Sequence, residues 1–517
     1  MTHSYTNNHK TVLGIGGALN HDASVSIVKG NEILFAAHAE RYSKIKNDPL
    51  LNKEILQDAF QYGTPDVIAW YENPYKKKTR QLYAGQYKTA FDMDELPKNY
   101  LQQFPELKGI PIEYQSHHST HAASGYHTSG FTHAAVVVID SIGEWETLTI
   151  WQGSGSTVSK VYSQKYPDSL GLFYSAMTQR LGLKANEDEY ILMGMAAYGD
   201  HDRKYKDKSL YVQLMTALGI VGNKTKKIVS FKKNLHRGCN ELFPDLTTEQ
   251  DMFDLAAATQ HIYEMMLDRV IKLARDLVHS PNLVLMGGCA LNCKANSMVT
   301  DNYGFNNVWI MPNPGDSGSC IGVAQKYNSD WTLDWKTPYL GYNIEGDYPT
   351  EKVLKVLLTG EICGIANGRA EFGPRALGNR TLTADPRGPG VKDKMNEIKH
   401  RQKFRPFAPM ILEEDVHEYF EMPANVTQSP YMQFIAKCKF PKEYPAIIHV
   451  DGTSRVQTVN QLQHPDLYQL LSRFKEETGC PMLVNTSLNI KGKPIVNDEQ
   501  DAIDFSEHYG VKVFTSD

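Results

Sequence analysis

The sequence predicts an α/β protein of two domains, and three observations lead to that prediction. The chain has 517 residues, more than a single hydrophobic core usually supports. Short apolar runs typical of buried strands alternate with segments of helical periodicity. A stretch of proline, glycine and mixed polar residues at 332–348 indicates a domain boundary near residue 345. We therefore divide the chain into residues 1–345 and 346–517.

Three short strands are predicted at the start of the first domain, over 11–15, 24–28 and 33–37. The first two are joined by a glycine-rich hairpin at 14–22. Such a hairpin can bring backbone N–H groups close to a phosphate. Most glycine turns are only turns, so this hairpin is weak evidence by itself.

The same pattern occurs a second time. An apolar strand at 134–139 ends on an Asp/Gly loop at 140–147, and a return strand follows at 148–151. A repeated strand–loop–strand unit predicts two related halves around a cleft.

A long amphipathic helix is predicted around residues 255–273, where apolar side chains keep helical spacing. It leads to a strand at 283–286 and then to Gly287 and Gly288, with Asn292 close behind. A Gly-Gly pair between a strand and a helix allows close approach of an adenine or a ribose.

Two histidines and two aspartates form a candidate metal site. His117 and His121 are four residues apart, so on a helix they share one face. Asp140 and Asp316 each follow an apolar strand in a glycine-flanked loop. The histidine pair alone would fit ordinary surface or cap residues, but the two aspartates favour a site for a first-row divalent metal.

The second domain carries arginines inside glycine- and proline-rich turns, at Arg375, Arg405 and Arg455. An arginine held in a rigid turn suits bidentate binding of phosphate or carboxylate. Together, the two domains indicate phosphate chemistry, with a nucleotide in one place and a small anion in another. The first-domain pattern is that of the actin-like ATPase superfamily.

Composition excludes several classes of protein. The net charge of −5 argues against a protein that coats nucleic acid, although basic runs occur at 76–80 and 224–233. No apolar stretch approaches the ~20 residues that span a bilayer. Seven scattered cysteines without a CxxC pair indicate neither a disulfide framework nor a zinc ribbon. We expect a cytoplasmic protein without membrane contact.

Ordered motifs along nearly the whole chain resemble those of the O-carbamoyltransferases of the nodulation and antibiotic-tailoring family. They are NHDAS (20–24), ERY (40–42), HHxxHAAS (117–124), DxxGEW (140–145), NEDEYxxMG (186–194), GGxALN (287–292), GDxG (315–318), EFGPRALGNR (371–380), FRPFAP (404–409), VDGTxRxQ (450–457) and NTSxN (485–489). The resemblance implies an actin-like, Kae1-like N-terminal domain, similar to the tRNA threonylcarbamoyl transferase subunit. It also implies a twisted-sheet α/β C-terminal domain that is YrdC-like, similar to the threonylcarbamoyl-adenylate synthase.

The resemblance also implies a two-stage reaction. Carbamoyl phosphate would be cleaved in the second domain, and the carbamate would attack ATP to give carbamoyl-adenylate and pyrophosphate. An acceptor hydroxyl would take the carbamoyl group in the first domain, and AMP would leave. Because carbamate is a poor electrophile, it needs a good leaving group and a site that excludes water.

Roles for individual residues follow from the same resemblance. The metal would be iron(II), although the ligand set also accepts manganese or zinc, and magnesium would accompany ATP. His118 is not expected to be a ligand. The implied assignments are His117, His121, Asp140 and Asp316 for the metal; His21, Arg375 and Arg455 for catalysis; Gly143, Glu144, Gly287, Gly288 and Asn292 for the nucleotide; and Lys399, Arg405, Asn485 and Ser487 for carbamoyl phosphate and ATP.

Three other functions are open at this stage: a kinase of the actin-like superfamily acting on a small alcohol, a tRNA threonylcarbamoylation factor, and a catalytically silent binding protein. The acceptor is open too. A natural-product alcohol fits, and the basic runs would suit a hydroxymethylated pyrimidine nucleotide or DNA. A homodimer is the default expectation for the assembly.

Overall fold

The computed structural model describes residues 9–220, 227–300, 303–327, 332–388, 390–402 and 405–517, and it shows a mixed α/β fold. Residues 224–226 of the basic run at 224–233 lie outside the described residues. Phe404 of the FRPFAP motif also lies outside them. None of the described helices has the length and apolar composition needed to cross a bilayer.

The strands up to residue 327 are β1 Thr11–Gly16, β2 Ser24–Lys29, β3 Glu32–His38, β4 Val67–Trp70, β5 Ile112–Tyr114, β6 His133–Ile139, β7 Glu146–Ser154, β8 Thr157–Lys165, β9 Lys204–Tyr205, β10 Lys208–Ser209, β11 Asn282–Met286 and β12 Asn307–Ile310. The α-helices of the same part are α1 Glu40–Ser43, α2 Lys53–Phe60, α3 Pro74–Tyr83, α4 Tyr87–Phe91, α5 Pro97–Tyr100, α6 His117–Thr128, α7 Leu170–Arg180, α8 Glu189–Met195, α9 Leu210–Leu218, α10 Glu249–Leu277, α11 Cys293–Met298 and α12 Ser319–Gly322.

Two five-stranded sheets repeat one topology. The first has the order β3-β2-β1-β4-β5, and the second has the order β8-β7-β6-β11-β12. In each sheet the first three strands are antiparallel, and the last two run parallel to the central strand. The prediction of two related halves is therefore confirmed by the strand order and direction.

The layer between these sheets is apolar and tightly packed. Helices α6 and α12 contribute Ala122 and Ile321 to a core shared with Val12 of one sheet and Val136 of the other. The helices approach closely because Gly322 has no side chain, and its N–H donates to Ser124 Oγ at 2.9 Å.

The predicted long helix is α10, which begins with a capping box between Thr248 and Asp251. Its apolar face, including Leu255, Ile262 and Val270, packs in the core beneath the second sheet. The predicted strands are confirmed as β1, β2, β3, β6, β7, β11 and β12, with ends that differ by a few residues.

The remaining strands are β13 Tyr339–Ile344, β14 Cys363–Ala366, β15 Gly368–Glu371, β16 Arg380–Ala384, β17 Ala408–Leu412, β18 Phe420–Glu421, β19 Ile435–Cys438, β20 Thr453–Arg455, β21 Gln457–Val459, β22 Met482–Ser487 and β23 Val513–Phe514. The remaining α-helices are α13 Thr350–Leu357, α14 Val391–Ile398, α15 Val416–Tyr419, α16 Pro465–Thr478 and α17 Glu499–Tyr509.

A six-stranded mixed sheet of order β21-β17-β22-β16-β14-β23 forms the centre of this second part. Its own core includes Leu382, Ile411 and Leu483, covered by Leu470 of α16. Strand β13 precedes residue 345 yet pairs with β15 beyond it. The division at 345 stays a prediction.

Candidate functional site

The four predicted metal ligands come together at the start of α6. His117 and His121 lie one turn apart on this helix, as their spacing predicts. Asp140 follows β6, and Asp316 begins a 3₁₀ turn shortly after β12. One ligand atom from each residue lies within 4.8 Å of the other three.

The distances between these atoms fit a single metal ion. His117 Nε2 is 3.1 Å from His121 Nε2, 3.0 Å from Asp140 Oδ2 and 3.4 Å from Asp316 Oδ1. His121 Nε2 is 3.4 Å from Asp316 Oδ1 and 3.6 Å from Asp140 Oδ2. Ligands ~2.1 Å from a metal are separated by roughly 3.0–3.4 Å at octahedral or tetrahedral angles.

The electrostatics of the cluster also favour a bound cation. Burial alone would lower the pKa of His117 and His121, but the facing aspartates raise both, that of His117 well above its usual value. Burial would raise the pKa of Asp140, but the two imidazoles hold it well below its usual range. Two carboxylates facing two fully buried imidazole nitrogens form the donor set of a divalent metal.

His118 lies outside the cluster, as expected. Its Nδ1 atom is 2.9 Å from Thr149 Oγ1, and burial lowers its pKa well below the usual value. It is thus a neutral core residue that fixes α6 against β7.

The glycines and Glu144 near the cluster support its backbone. Gly287 has a positive φ of 89°, and a side chain there would lie 2.1 Å from the carbonyl oxygen of Ile139. A Cβ on Gly143 would be 3.1 Å from His117 Cβ. Buried Glu144 accepts hydrogen bonds from the N–H groups of His117 and Asn73, at 3.1 and 2.8 Å.

The other two predicted nucleotide residues line a cavity. Gly288 lies beside Asp140 in the cavity wall, and a Cβ atom added to this glycine would be 3.3 Å from Asp140 Oδ1. Asn292 caps α11 and exchanges amide hydrogen bonds of 3.0 and 3.1 Å with Gln260. The Asn292 amide is thus bonded within the protein, and its part in nucleotide binding stays a prediction.

One cavity of about 950 Å³ extends from the cluster of predicted metal ligands to residues in the second part of the chain. Among the predicted site residues, its walls include His21, Asp140, Gly288, Asn292, Asp316, Arg375, Lys399, Arg405, Arg455, Asn485 and Ser487. Residues more than 300 positions apart in sequence thus line one cavity.

Four arginines gather in the second part of this cavity. Burial and the neighbouring Arg455 lower the pKa of Arg375 to about 9, and burial and Arg405 lower that of Arg401 to about 8. The guanidinium of Arg405 stacks on Tyr190 at 4.7 Å, and that of Arg401 stacks on Phe407 at 4.0 Å. Mutual repulsion of these cations favours an anionic ligand that neutralises them.

The three remaining candidates of the second part are tied into the protein. Lys399 is buried, and its ammonium donates to the carbonyl oxygens of Ser487 and Asn489. Ser487 Oγ donates to Asn489 Oδ1 at 2.6 Å. Asn485 is 1% exposed, and its amide donates to Ala376 O and Gln457 Oε1. Burial lowers the pKa of Lys399 well below its usual value.

His21 also lines the cavity, in the hairpin after β1. Its Nε2 donates to the carbonyl oxygen of Asn186 at 2.9 Å, which leaves the lone pair on Nδ1. The adjacent Asn20 donates to Asp316 Oδ2 at 3.3 Å. The hairpin that carries His21 therefore contacts the cluster of predicted metal ligands through Asn20.

Sequence reasoning missed Arg401, Tyr190 and Asn20 as site residues. Arg401 follows Lys399 and His400, and three consecutive basic residues offer no pattern that separates their roles. Tyr190 belongs to the NEDEYxxMG motif and Asn20 to the NHDAS motif. Membership of these motifs is the sequence signal that could have identified both residues.

Comparison with known proteins gives one family. Residues 70–325 match the model of the carbamoyltransferase N-terminus, and residues 354–516 match that of the carbamoyltransferase C-terminus. Nodulation protein NolNO of Sinorhizobium fredii is 30% identical, over 96% of this chain and 78% of that protein. The 3'-hydroxymethylcephem-O-carbamoyltransferase of Amycolatopsis lactamdurans is 28% identical, over 95% of this chain and 95% of that protein.

Among solved structures, HypF of T. kodakarensis matches 63% of this chain and 49% of its own, at 13% identity and a TM-score of 0.32. This overlap is too low to bear on function.

Proposed function

The chain belongs to the O-carbamoyltransferase family, and we propose that it carbamoylates an alcohol in two stages, through a carbamoyl-adenylate made from carbamoyl phosphate and ATP. The observation that carries this proposal is the shared cavity. A cluster of cations suited to phosphates lines the same cavity as Asp140 and Asp316, two of the four predicted metal ligands.

The first stage is assigned to the arginine cluster. Water cleaves carbamoyl phosphate into carbamate and phosphate. A carbamate oxygen then attacks the α-phosphorus of ATP, and the bond to pyrophosphate breaks. Both substrates are polyanions, so Arg375, Arg405 and Arg455 bind the phosphates and stabilise the charge that develops on their oxygens. Lys399 holds the Ser487–Asn489 turn in place beside them.

The second stage is assigned to the cavity wall around His21. The acceptor oxygen attacks the carbamoyl carbon, its proton goes to His21 Nδ1, and AMP leaves. The hydrogen bond from Nε2 to Asn186 O keeps the lone pair on Nδ1, as a general base requires. A divalent metal on His117, His121, Asp140 and Asp316 would supply a Lewis acid at this end of the cavity. Iron(II) is the metal that we expect there.

A shared cavity also suits the intermediate. Carbamoyl-adenylate reacts with water, and a route through one cavity limits its exposure to bulk solvent. The volume of about 950 Å³ is ample for a nucleotide together with an acceptor group.

We assign the first 345 residues to the actin-like, Kae1-like fold, with the repeated five-stranded sheet as the support. Residues 346–517 are assigned to a YrdC-like domain, supported by their mixed six-stranded sheet and clustered arginines.

The test is product analysis with iron(II)-loaded enzyme, ATP, magnesium and carbamoyl phosphate. We expect pyrophosphate release that depends on carbamoyl phosphate, and AMP release that rises with an acceptor alcohol. Formation of ADP without dependence on carbamoyl phosphate would instead identify a kinase. An Arg375→Met variant should lose pyrophosphate release, whereas Arg473→Met, on α16 and outside the cavity lining, serves as the matched control.

A further inference from the structure

His38, the last residue of β3, contacts three loops that carry residues of the proposed site. These are the hairpin of His21, the loop of Asp316 and the turn of Arg375. The imidazole is 3% exposed, so its contacts are with the protein and not with solvent. The two-stage reaction gives this residue no part.

The first contact is with the hairpin that carries His21. His38 Nδ1 is 2.9 Å from Asp22 Oδ1, and an ionised carboxylate only accepts, so Nδ1 carries the proton. Asp22 has a positive φ of 61°, which is uncommon for residues other than glycine, asparagine and aspartate. The hydrogen bond therefore stabilises an unfavourable backbone conformation directly beside His21.

The second contact is with the loop that carries Asp316. With its proton on Nδ1, the His38 ring has a lone pair on Nε2, and the Asn313 amide nitrogen donates to it at 3.1 Å. The Asn313 amide oxygen accepts in turn from Ser317 Oγ at 3.0 Å, next to the predicted metal ligand. Two consecutive buried hydrogen bonds thus connect the ring to the residue after Asp316.

This chain is better placed to hold Asp316 than the direct contact from the hairpin. Asn20 donates to Asp316 Oδ2 at 3.3 Å, in an exposed position. Asn313 and Ser317 are each 2% exposed, and a hydrogen bond is electrostatically stronger away from water.

The third contact is with the turn that carries Arg375. The His38 ring packs on fully buried Phe372, with 5.1 Å between the ring centroids. A side chain on Gly373 would lie 2.8 Å from the carbonyl oxygen of Pro312, so this turn also packs directly against the loop after β12. One imidazole thus lies between the metal-binding and the anion-binding parts of the site.

From these contacts we infer that His38 is a positioning residue, and that its Nε2 atom, acting through Asn313, sets the position of Asp316 as a metal ligand. Its other contacts hold the His21 hairpin and the Arg375 turn against the same loop. The inference rests on the proposed function for the roles of these three loops. A misplacement of about 1 Å at a reacting group can cost on the order of 100-fold in rate, so such a residue matters without touching a substrate.

The two ring nitrogens can be tested one at a time. In His38→Gln the amide reaches the place of Nε2 and can still accept from Asn313, whereas in His38→Asn it reaches only the place of Nδ1 and can still donate to Asp22. The measurement is the affinity of the full chain, stripped of metal, for Mn(II), followed by electron paramagnetic resonance of the free ion. We expect about tenfold weaker binding in His38→Asn and a change of less than about threefold in His38→Gln, because only the first variant releases the support of a metal ligand.

Tyr126→Phe is the matched control. It removes a hydrogen bond to the Thr132 carbonyl oxygen at the far end of α6, outside the cavity lining, and its Mn(II) affinity should equal that of the wild type. Each His38 variant loses one buried hydrogen bond, so a general loss of stability would weaken Mn(II) binding equally in both. If His38→Asn does not fold, Ser317→Ala, which breaks the same chain at its last bond, replaces it with the same expected loss.

Equal weakening in the two His38 variants, full affinity in His38→Asn, or no Mn(II) binding by the wild type would overturn the inference. Mn(II) binding needs neither carbamoyl phosphate nor ATP, so pyrophosphate release by the wild-type enzyme tests the proposed function separately. Absence of that release would reject the proposed function, while the Mn(II) affinities would still decide whether His38 positions Asp316.

Discussion

Substitution of Glu144 distinguishes two roles for this residue, positioning of the metal-binding helix and binding of a nucleotide. The sequence places it beside a nucleotide, but the structure shows its carboxylate buried and bonded to the N–H groups of His117 and Asn73. Those groups stand at the starts of α6 and α3, where N–H donors lack partners within their helices. Glu144→Ala should therefore loosen the helix that carries both histidine ligands.

The expected loss of folding stability follows from the two hydrogen bonds that the Glu144 carboxylate accepts. Each hydrogen bond to a buried carboxylate contributes roughly 1.5–3 kcal/mol. Burial and the nearby Glu72 offset part of this, because burial raises the pKa of Glu144 and penalises its charged form. We expect Glu144→Ala to lower the free energy of unfolding by about 2–4 kcal/mol, and Glu144→Gln, which keeps an acceptor oxygen, by about 1 kcal/mol.

The assay combines urea unfolding with metal content after dialysis, and Glu187→Ala on the cavity wall is the control carboxylate. Retained iron should fall in Glu144→Ala and recover largely in Glu144→Gln. Unchanged stability and iron content in Glu144→Ala, with only the KM for ATP raised, would refute the positioning role and restore the nucleotide role.

Three further predictions concern the metal, the anion site and pH. Asp316→Asn should reduce retained divalent metal by at least tenfold, because it removes one of four charged or imidazole donors; full retention by elemental analysis would contradict the site. Inorganic pyrophosphate should raise the unfolding temperature of the wild type by relieving repulsion among the arginines, and this rise should shrink in Arg455→Met; an equal rise in both proteins would place the anion elsewhere. Burial lowers the pKa of His464 from 6.5 to about 4, so its stabilising contribution is complete above pH 6.5 and is lost as the pH falls towards 4, by about 3 kcal/mol in total. His464→Asn, which can still cap α16, should flatten that pH dependence, and an unchanged profile in urea unfolding would show that another group causes it.

The histidine spacing and the strand-end aspartates predicted that these four side chains lie together, and the structure confirms it, because both features are local. Side chains four residues apart on a helix must share a face, and carboxyl ends of neighbouring parallel strands must meet at one sheet edge. Likewise, the repeated hairpins predicted the repeated sheets, because the apolar pattern that identifies a strand depends only on consecutive residues.

The functions of Glu144, Lys399 and the basic run at 76–80 could not be predicted in the same way. Sequence identifies a charge, but only the tertiary structure decides whether that charge faces a ligand or is already paired.

The sequence by itself thus determined family membership, and it predicted the candidate metal ligands and the cationic turns. Only the tertiary structure decided that those turns line one cavity together with Asp140 and Asp316. The physical reason is that motifs fix local geometry over a few residues, whereas a cavity arises from how whole sheets and helices pack across hundreds of residues.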